Sequence, residues 1–289
     1  MNQLYDIGFV AFIDILGWSS IVDKSAIETE WFSRLDGLLE TIKAHSEIQS
    51  APTTDPGVQI SQISDSIFVT VNVARVSQRP ERISLYSTLI ARECFSRGML
   101  TRGGITLGEF RHDGSKLFGP AVVRAFQIEQ AVQYPCIAID PSPIVVNEFL
   151  DSDEYGFHIS TIAKDKTVVH TPVSISPIAK TSGETFFIDW MREDISDDPK
   201  YGPRRVYNDE EKARSLNEIL SNKHSISVRP KIDWFRRYAD DGWRKSCSGE
   251  FVQVDFRNDR DVARWVKSDD YYETFRHANL TKNKSLIKL

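Results

Sequence analysis

Two acidic segments carry the chemistry this chain can be expected to do. In Phe12-Ile13-Asp14-Ile15-Leu16-Gly17-Trp18 an aspartate closes an apolar run, and in Ile63-Ser64-Asp65-Ser66-Ile67 a second aspartate stands between two short apolar runs. Either acid alone has an ordinary explanation. Asp14 could cap a following helix, and Asp65 is of a type favoured in turns for its local hydrogen bonds. Together, with one at a strand end and the other at a hairpin tip, they can meet as paired hard-oxygen ligands, which suit Mg²⁺ or Mn²⁺.

The elements that must position these acids are legible around them. Gly8 to Ile15 is almost continuously apolar, as expected of a central strand buried on both faces, and Gly17 breaks it. From Ala26 to His45 the residues Ile27, Trp31, Leu35, Leu38, Leu39 and Ile42 recur at helical spacing. After the loop Pro52-Thr53-Thr54-Asp55-Pro56-Gly57, two strands are expected at Val58 to Ile63 and Ile67 to Val73, joined at Ser64-Asp65-Ser66. A second helix opens at Pro80, turns Ile83, Tyr86, Ile90 and Cys94 to one side, and stops at Gly98. Thr101 to Gly108 is a glycine-rich strand, where Gly103, Gly104 and Gly108 suggest a bulge or a close backbone approach.

Pro120 begins a third helix with a stripe of Ala121, Ala125, Ile128 and Val132; a strand at Cys136 to Ile139 and a short helix after Pro143 follow. The expected fold is therefore α+β, a ferredoxin-like βαββαβ core over residues 5–150 with a C-terminal α/β extension over 151–289, packed on the core or on a dimer partner. In the extension, Thr167 to His170 and Thr185 to Trp190 read as strands. Asn208 with Glu211 reads as a capping box for a helix carrying Ala213, Leu216 and Ile219. Beyond Lys231 no period is evident, and Trp234, Trp243 and Trp265 read as packing anchors.

Composition excludes several classes. Lys and Arg total 36 against 41 Asp and Glu, a net charge of −5, so no overall basic field draws the chain to nucleic acid or anionic lipid. Cys94, Cys136 and Cys247 are odd in number and widely spaced, which suits reduced thiols and neither a disulfide framework nor a zinc site. The six histidines fall in no metal-binding spacing. The early apolar run is too short and too acidic for a signal segment, and no apolar stretch is long enough to span a membrane, so a cytoplasmic location is expected.

In its first half the order of motifs resembles the class III nucleotidyl cyclases: an F-x-D-I-x-G strand end, a hairpin bearing a second Asp, a glycine-containing strand, and a helix reading W-G-x-x-V-N-x-A-x-R-x-E. That helix appears here as Phe118-Gly119-Pro120-Ala121-Val122-Val123-Arg124-Ala125-Phe126-Gln127-Ile128-Glu129. Arg102-Gly103-Gly104-Ile105 and Gly119-Pro120-Ala121 look closer to the pyrimidine cyclases of bacterial anti-phage (Pycsar) systems than to adenylate or guanylate cyclases. The resemblance implies a homodimer with shared active sites and two Mn²⁺ or Mg²⁺ ions per site, held by Asp14, the carbonyl of Ile15, and Asp65. It also implies that the backbone from Ile15 through Leu16 and Gly17 to Trp18 donates N–H groups to the β- and γ-phosphates of a nucleoside triphosphate.

Departures from the purine pattern narrow the expectation. Where adenylate cyclases of this class read adenine with a Lys and an Asp, this chain has Ser61 and Lys116. Where they carry a ribose-orienting Asn and a transition-state Arg, it has Val123 and Gln127. Phe12 is core or a border to the base. Either Arg102, Lys116 or Arg124 supplies the missing positive charge, or the domain has lost turnover. The expected activity is conversion of UTP, or alternatively CTP, to its 3′,5′-cyclic monophosphate, a messenger sensed by a separate effector in anti-phage defence. The rival is a non-catalytic, cyclase-like nucleotide-binding module.

Overall fold

The structure is a computed structural model that describes residues 4–50, 57–75, 79–114, 116–132, 134–150, 178–180, 186–188, 190–191, 209–221, 228–229, 231–236 and 239. The apolar run at the N-terminus forms β1 (Asp6–Ile15), followed by helices α1 (Trp18–Ser25) and α2 (Thr29–Ser50). β2 (Val58–Ile63) and β3 (Ser66–Asn72) make the expected hairpin; α3 (Arg79–Ser96), β4 (Thr101–Asp113), β5 (Lys116–Phe118), α4 (Pro120–Ala131), β6 (Ile137–Ile139) and α5 (Pro143–Leu150) follow. Past these lie β7 (Ile178–Lys180), β8 (Phe186–Ile188) and α6 (Asp209–Ser221).

The sheet runs β2-β3-β1-β4-β6-β8-β7, with β5 pairing β4. Its first four strands, β2-β3-β1-β4, are all antiparallel to their neighbours. That is the ferredoxin-like order expected of a βαββαβ chain, so the α+β expectation holds. β6 lies parallel to β4, and β8 continues the sheet beyond it.

Period-two alternation divides β1 between two apolar layers. Phe9, Ala11, Ile13 and Ile15 join the main core with Trp31, Leu38 and Ile42 of α2 and Ile83, Tyr86 and Ile90 of α3. Val10 and Phe12 point to the other face, where they pack with Phe110 of β4 and Ala121 and Ala125 of α4. Phe12 also meets Phe68 and Phe126 edge-on, at centroid distances of 4.9 and 5.3 Å. The parity puts Asp14 on the same face as Phe12, at the end of the strand.

Gly104 explains how α4 lies so close to β4. A Cβ there would sit 2.4 Å from the Ala125 carbonyl oxygen and 2.7 Å from Ile128 Cβ, so no larger residue fits without moving the helix. Of the two sequence readings for this glycine, close backbone approach is the one observed.

The described residues beyond 150 belong to the same core. Trp190 stacks on Phe235 and packs against Phe95 of α3, and Arg92 Nε donates to the Trp190 carbonyl at 2.7 Å. Trp234 stacks on Tyr134 at 5.4 Å, and Arg34 of α2 pairs with Glu218 of α6. Two expectations needed revision. The single helix from Ala26 proved to be α2 preceded by a separate α1, because the chain turns straight from β1 through Gly17 into helix. Residues 231–236, without visible period, are helical. The strand expected at Thr167 to His170, the cap at Asn208, and Cys247, Trp243 and Trp265 lie outside the described residues.

Candidate active site

The two acids meet. Asp14 pairs in register with Ser66 on one side and Arg102 on the other, so it occupies the centre of the sheet's end. The hairpin tip folds over this end. Ser64 takes a positive φ of 59° at the turn, and the Ile15 N–H donates to the Asp65 carbonyl at 3.1 Å, which ties Asp65 to the strand end. The Asp14 and Asp65 carboxyls lie close enough to share a hydrogen bond.

The capping alternative for Asp14 fails on geometry. The N-cap of α1 is Gly17, in the left-handed region at φ 78°, and no side chain caps that helix. Asp14 is thus available to a ligand. Glycine is needed at this cap because a side chain is strained at such a φ.

Arg102 lies between the acids and α4. Its Nη2 is 3.8 Å from Asp14 Oδ2 and forms a close ion pair with Glu129, while Nη1 donates to the Val132 carbonyl at 3.3 Å. Glu129 is fully buried, and its burial pushes its pKa up against the pull of Arg102. Burial first, and then the negative charge of Glu129, lift the Asp14 pKa from 3.8 to about 6; Arg102 opposes the shift and Asp65 adds to it. A cluster in which carboxylates outnumber nearby cations is short of positive charge.

That shortage, with the all-oxygen donor set, fits a divalent cation. Asp14, Asp65 and the Ile15 carbonyl are the groups that would hold it. Among the described residues no group of three or more His, Cys, Asp or Glu side chains gathers around one point, so any such site rests on two carboxylates and main-chain oxygen.

The Asp14 shift gives a testable pH dependence. Between about pH 4 and 6 the folded chain holds a proton on Asp14 that the unfolded chain has released. Asp14 therefore lowers stability as pH rises through this window. A cation must displace the same proton. Affinity for Mn²⁺, measured by titration calorimetry, is expected to rise about tenfold per pH unit up to about pH 6 and then to level off. A flat profile across this range would separate Asp14 from metal binding.

The Leu16 N–H donates to the Leu100 carbonyl at 2.8 Å and that of Ile15 to Asp65, so neither is available to phosphate. This corrects the expectation of four consecutive donors; Gly17 and Trp18 remain, at the start of α1. Phe12 is buried and serves the core. Arg124 is a second correction. It is buried, and its Nε and Nη2 donate to the two oxygens of the fully buried Asp140 at 2.9 and 3.2 Å, which makes it a structural cation. Gln127 and Val123 are exposed on the outer side of α4.

Ser61 lies on the edge strand β2, in register with Phe68 and, through it, with Phe12. Its Oγ is 2.6 Å from Nε2 of His112, whose Nδ1 is 2.8 Å from Thr70 Oγ1, and Ser61 also donates to the Gly114 carbonyl at 3.3 Å. Burial depresses the His112 pKa to about 4, so the ring is neutral near pH 7. Gly114 ends the turn from which Lys116 returns, exposed, on β5. His112 shares strand parity with Arg102, a signal that would have put it on this face.

Neither a family model nor a curated protein matches this chain. Among solved structures, one similar chain is the catalytic core of a rhodopsin-guanylyl cyclase with converted specificity, in complex with ATPalphaS. It is 14% identical over 64% of this chain and 95% of its own, with a TM-score of 0.41. Another is a class III adenylyl cyclase-like ATP-binding protein from Pseudomonas aeruginosa, 10% identical over 82% of this chain and 44% of its own, with a TM-score of 0.35.

Proposed function

We propose that this chain is a nucleotide cyclase that converts UTP, or alternatively CTP, to the 3′,5′-cyclic monophosphate and diphosphate. The observation that carries the reading is the meeting of Asp14 and Asp65 at one end of the central sheet, beside the start of α1. Mn²⁺ or Mg²⁺, two ions per site, would lower the pKa of the ribose 3′-hydroxyl and offset charge on the phosphates. The chain's own residues then have distinct tasks. The helix start at Gly17 and Trp18 presents N–H groups to the terminal phosphates. Arg102, fixed by Glu129 and the Val132 carbonyl, holds positive charge beside Asp14. The 3′-hydroxyl gives up its proton to solvent, its oxygen bonds to the α-phosphorus as the bond to the diphosphate breaks, and diphosphate carries the negative charge away.

Support for a pyrimidine comes from the edge strand of the same face. Ser61 and Lys116 stand where the resemblance places the adenine contacts, and Ser61 is held by a neutral His112. With its proton directed at the Gly114 carbonyl, the Ser61 oxygen keeps a lone pair that can accept from a small base edge. Support for a homodimer comes from Ile63 on the face that carries Asp14, from Phe118 on β5 just before α4, and from Val123 and Phe126 along α4, which are 59%, 51%, 57% and 45% exposed. A second copy would cover them and share the site. The product would act on a separate effector in anti-phage defence. No helix among the described residues is long and apolar enough to cross a membrane.

Incubation with each of the four labelled NTPs and Mn²⁺ tests the reading. Cyclic UMP or cyclic CMP with matching pyrophosphate is the expected result. Binding of nucleotide without pyrophosphate release from any of the four would favour the non-catalytic module.

A further inference from the structure

The helical turn at 231–236 packs into the main core through Ile232, Trp234 and Phe235. Trp234 of this turn is buried and stacks on Tyr134. Tyr134 follows Val132 by two residues, and Val132 supplies the carbonyl that holds Arg102 Nη1. The turn is therefore moored on the same short loop that fixes Arg102. Lys231 lies one helical turn before Trp234, its own N–H donating to the Val228 carbonyl at 3.0 Å. It is half-buried, and among the described residues no carboxylate forms an ion pair with its ammonium.

We propose that Lys231 belongs to the Asp14 site and contacts the phosphate chain of the bound substrate, which supplies the positive charge that Val123 and Gln127 cannot. The inference rests on the cyclase reading for its substrate, but the contact itself requires only a polyphosphate.

Three features support it. Arg102, Asp14 and Glu129 all act on Lys231 electrostatically: burial and Arg102 lower its pKa, while Asp14 and Glu129 raise it. All three line the candidate site. Arg102 spends Nη2 on Glu129 and Nη1 on the Val132 carbonyl, whereas among the described residues no carboxylate pairs with the ammonium of Lys231. Arg124, the other nearby candidate on α4, is taken up by Asp140. Cations at Asp14 and Asp65 would repel Lys231 from the carboxylates, and the phosphates of a ligand would be its natural counter-charge.

The test compares the full chain with Lys231→Met and Lys231→Arg. Two readouts are followed: equilibrium binding of inorganic tripolyphosphate in the presence of Mn²⁺, and turnover of the NTP found active above. Lys231→Met is expected to bind tripolyphosphate about tenfold or more weakly while binding Mn²⁺ alone at least as well, because a repelling charge is gone. Lys231→Arg should recover most of the loss. A merely structural lysine would move the melting temperature and leave the two affinities in step.

Tripolyphosphate binding by Lys231→Met equal to that of the parent, or no binding by the parent, overturns the proposal. If Lys231→Met does not fold, Lys231→Gln is read in the same way. Should the parent release no pyrophosphate from any NTP, the cyclase reading falls, and the tripolyphosphate comparison still decides Lys231.

Discussion

Asp65→Ala is expected to fold as the parent does and to lose cyclic nucleotide formation by about a thousandfold or more. The size follows from the role: charge stabilisation at a phosphoryl centre is worth several kcal/mol, and each ~1.4 kcal/mol is a factor of ten in rate. The fold should survive, because the hairpin tip is tied to β1 through the main-chain carbonyl of residue 65, which alanine keeps. Without cation, the variant should melt at the parent's temperature or above it, since a like charge beside Asp14 has been removed. With Mn²⁺, the parent should gain thermal stability and the variant should not. Undiminished cyclisation by the variant would remove Asp65 from the mechanism.

Arg124→Met is expected to do the opposite damage, to stability first. Asp140 is fully buried and receives Thr106 Oγ1 at 2.8 Å, the Ser142 N–H at 3.1 Å and the two contacts from Arg124. Removing Arg124 takes from this buried carboxylate the cation that pairs with it among the described residues. Such a loss costs about 3–5 kcal/mol, or about ten degrees in melting temperature for a chain of this size. Adding Asp140→Asn should recover a large part, because the stranded charge is then gone. If Arg124→Met melts within a degree or two of the parent yet turns over no NTP, Arg124 acts in the chemistry after all.

The core was legible because its signals are local. The apolar run before Asp14, the Ser64-Asp65-Ser66 turn and the glycines of β4 each fix backbone geometry within a few residues, and the strand order follows from alternating strands and helices. Asp14, Asp65 and Arg102 were found this way, and the structure brings all three together. The roles of α4 were harder to read. Arg124 depends on an acid sixteen positions later, and no spacing rule pairs them.

Glu129 carried a signal that went unused. It stands four residues after Ala125 on the buried stripe, and an acid there calls for a buried cation. Lys231 had no local signal. Its relevance depends on Trp234 finding Tyr134, a contact between distant segments that hydrophobic periodicity does not encode. His112 sits between these cases, since strand parity gives its face but not its reach across to Ser61.

The continuation of the sheet from β6 into β8 has a consequence for anyone dividing this chain. The ferredoxin-like motif resembles a portable cassette, yet its outer strand, its loop at Tyr134 and the ring of Phe95 all rely on partners supplied after residue 150. Grafted alone into a fusion, the cassette would carry a bare β edge and unshielded aromatic rings. The described residues of the later segment form a wall of the motif rather than an appendage.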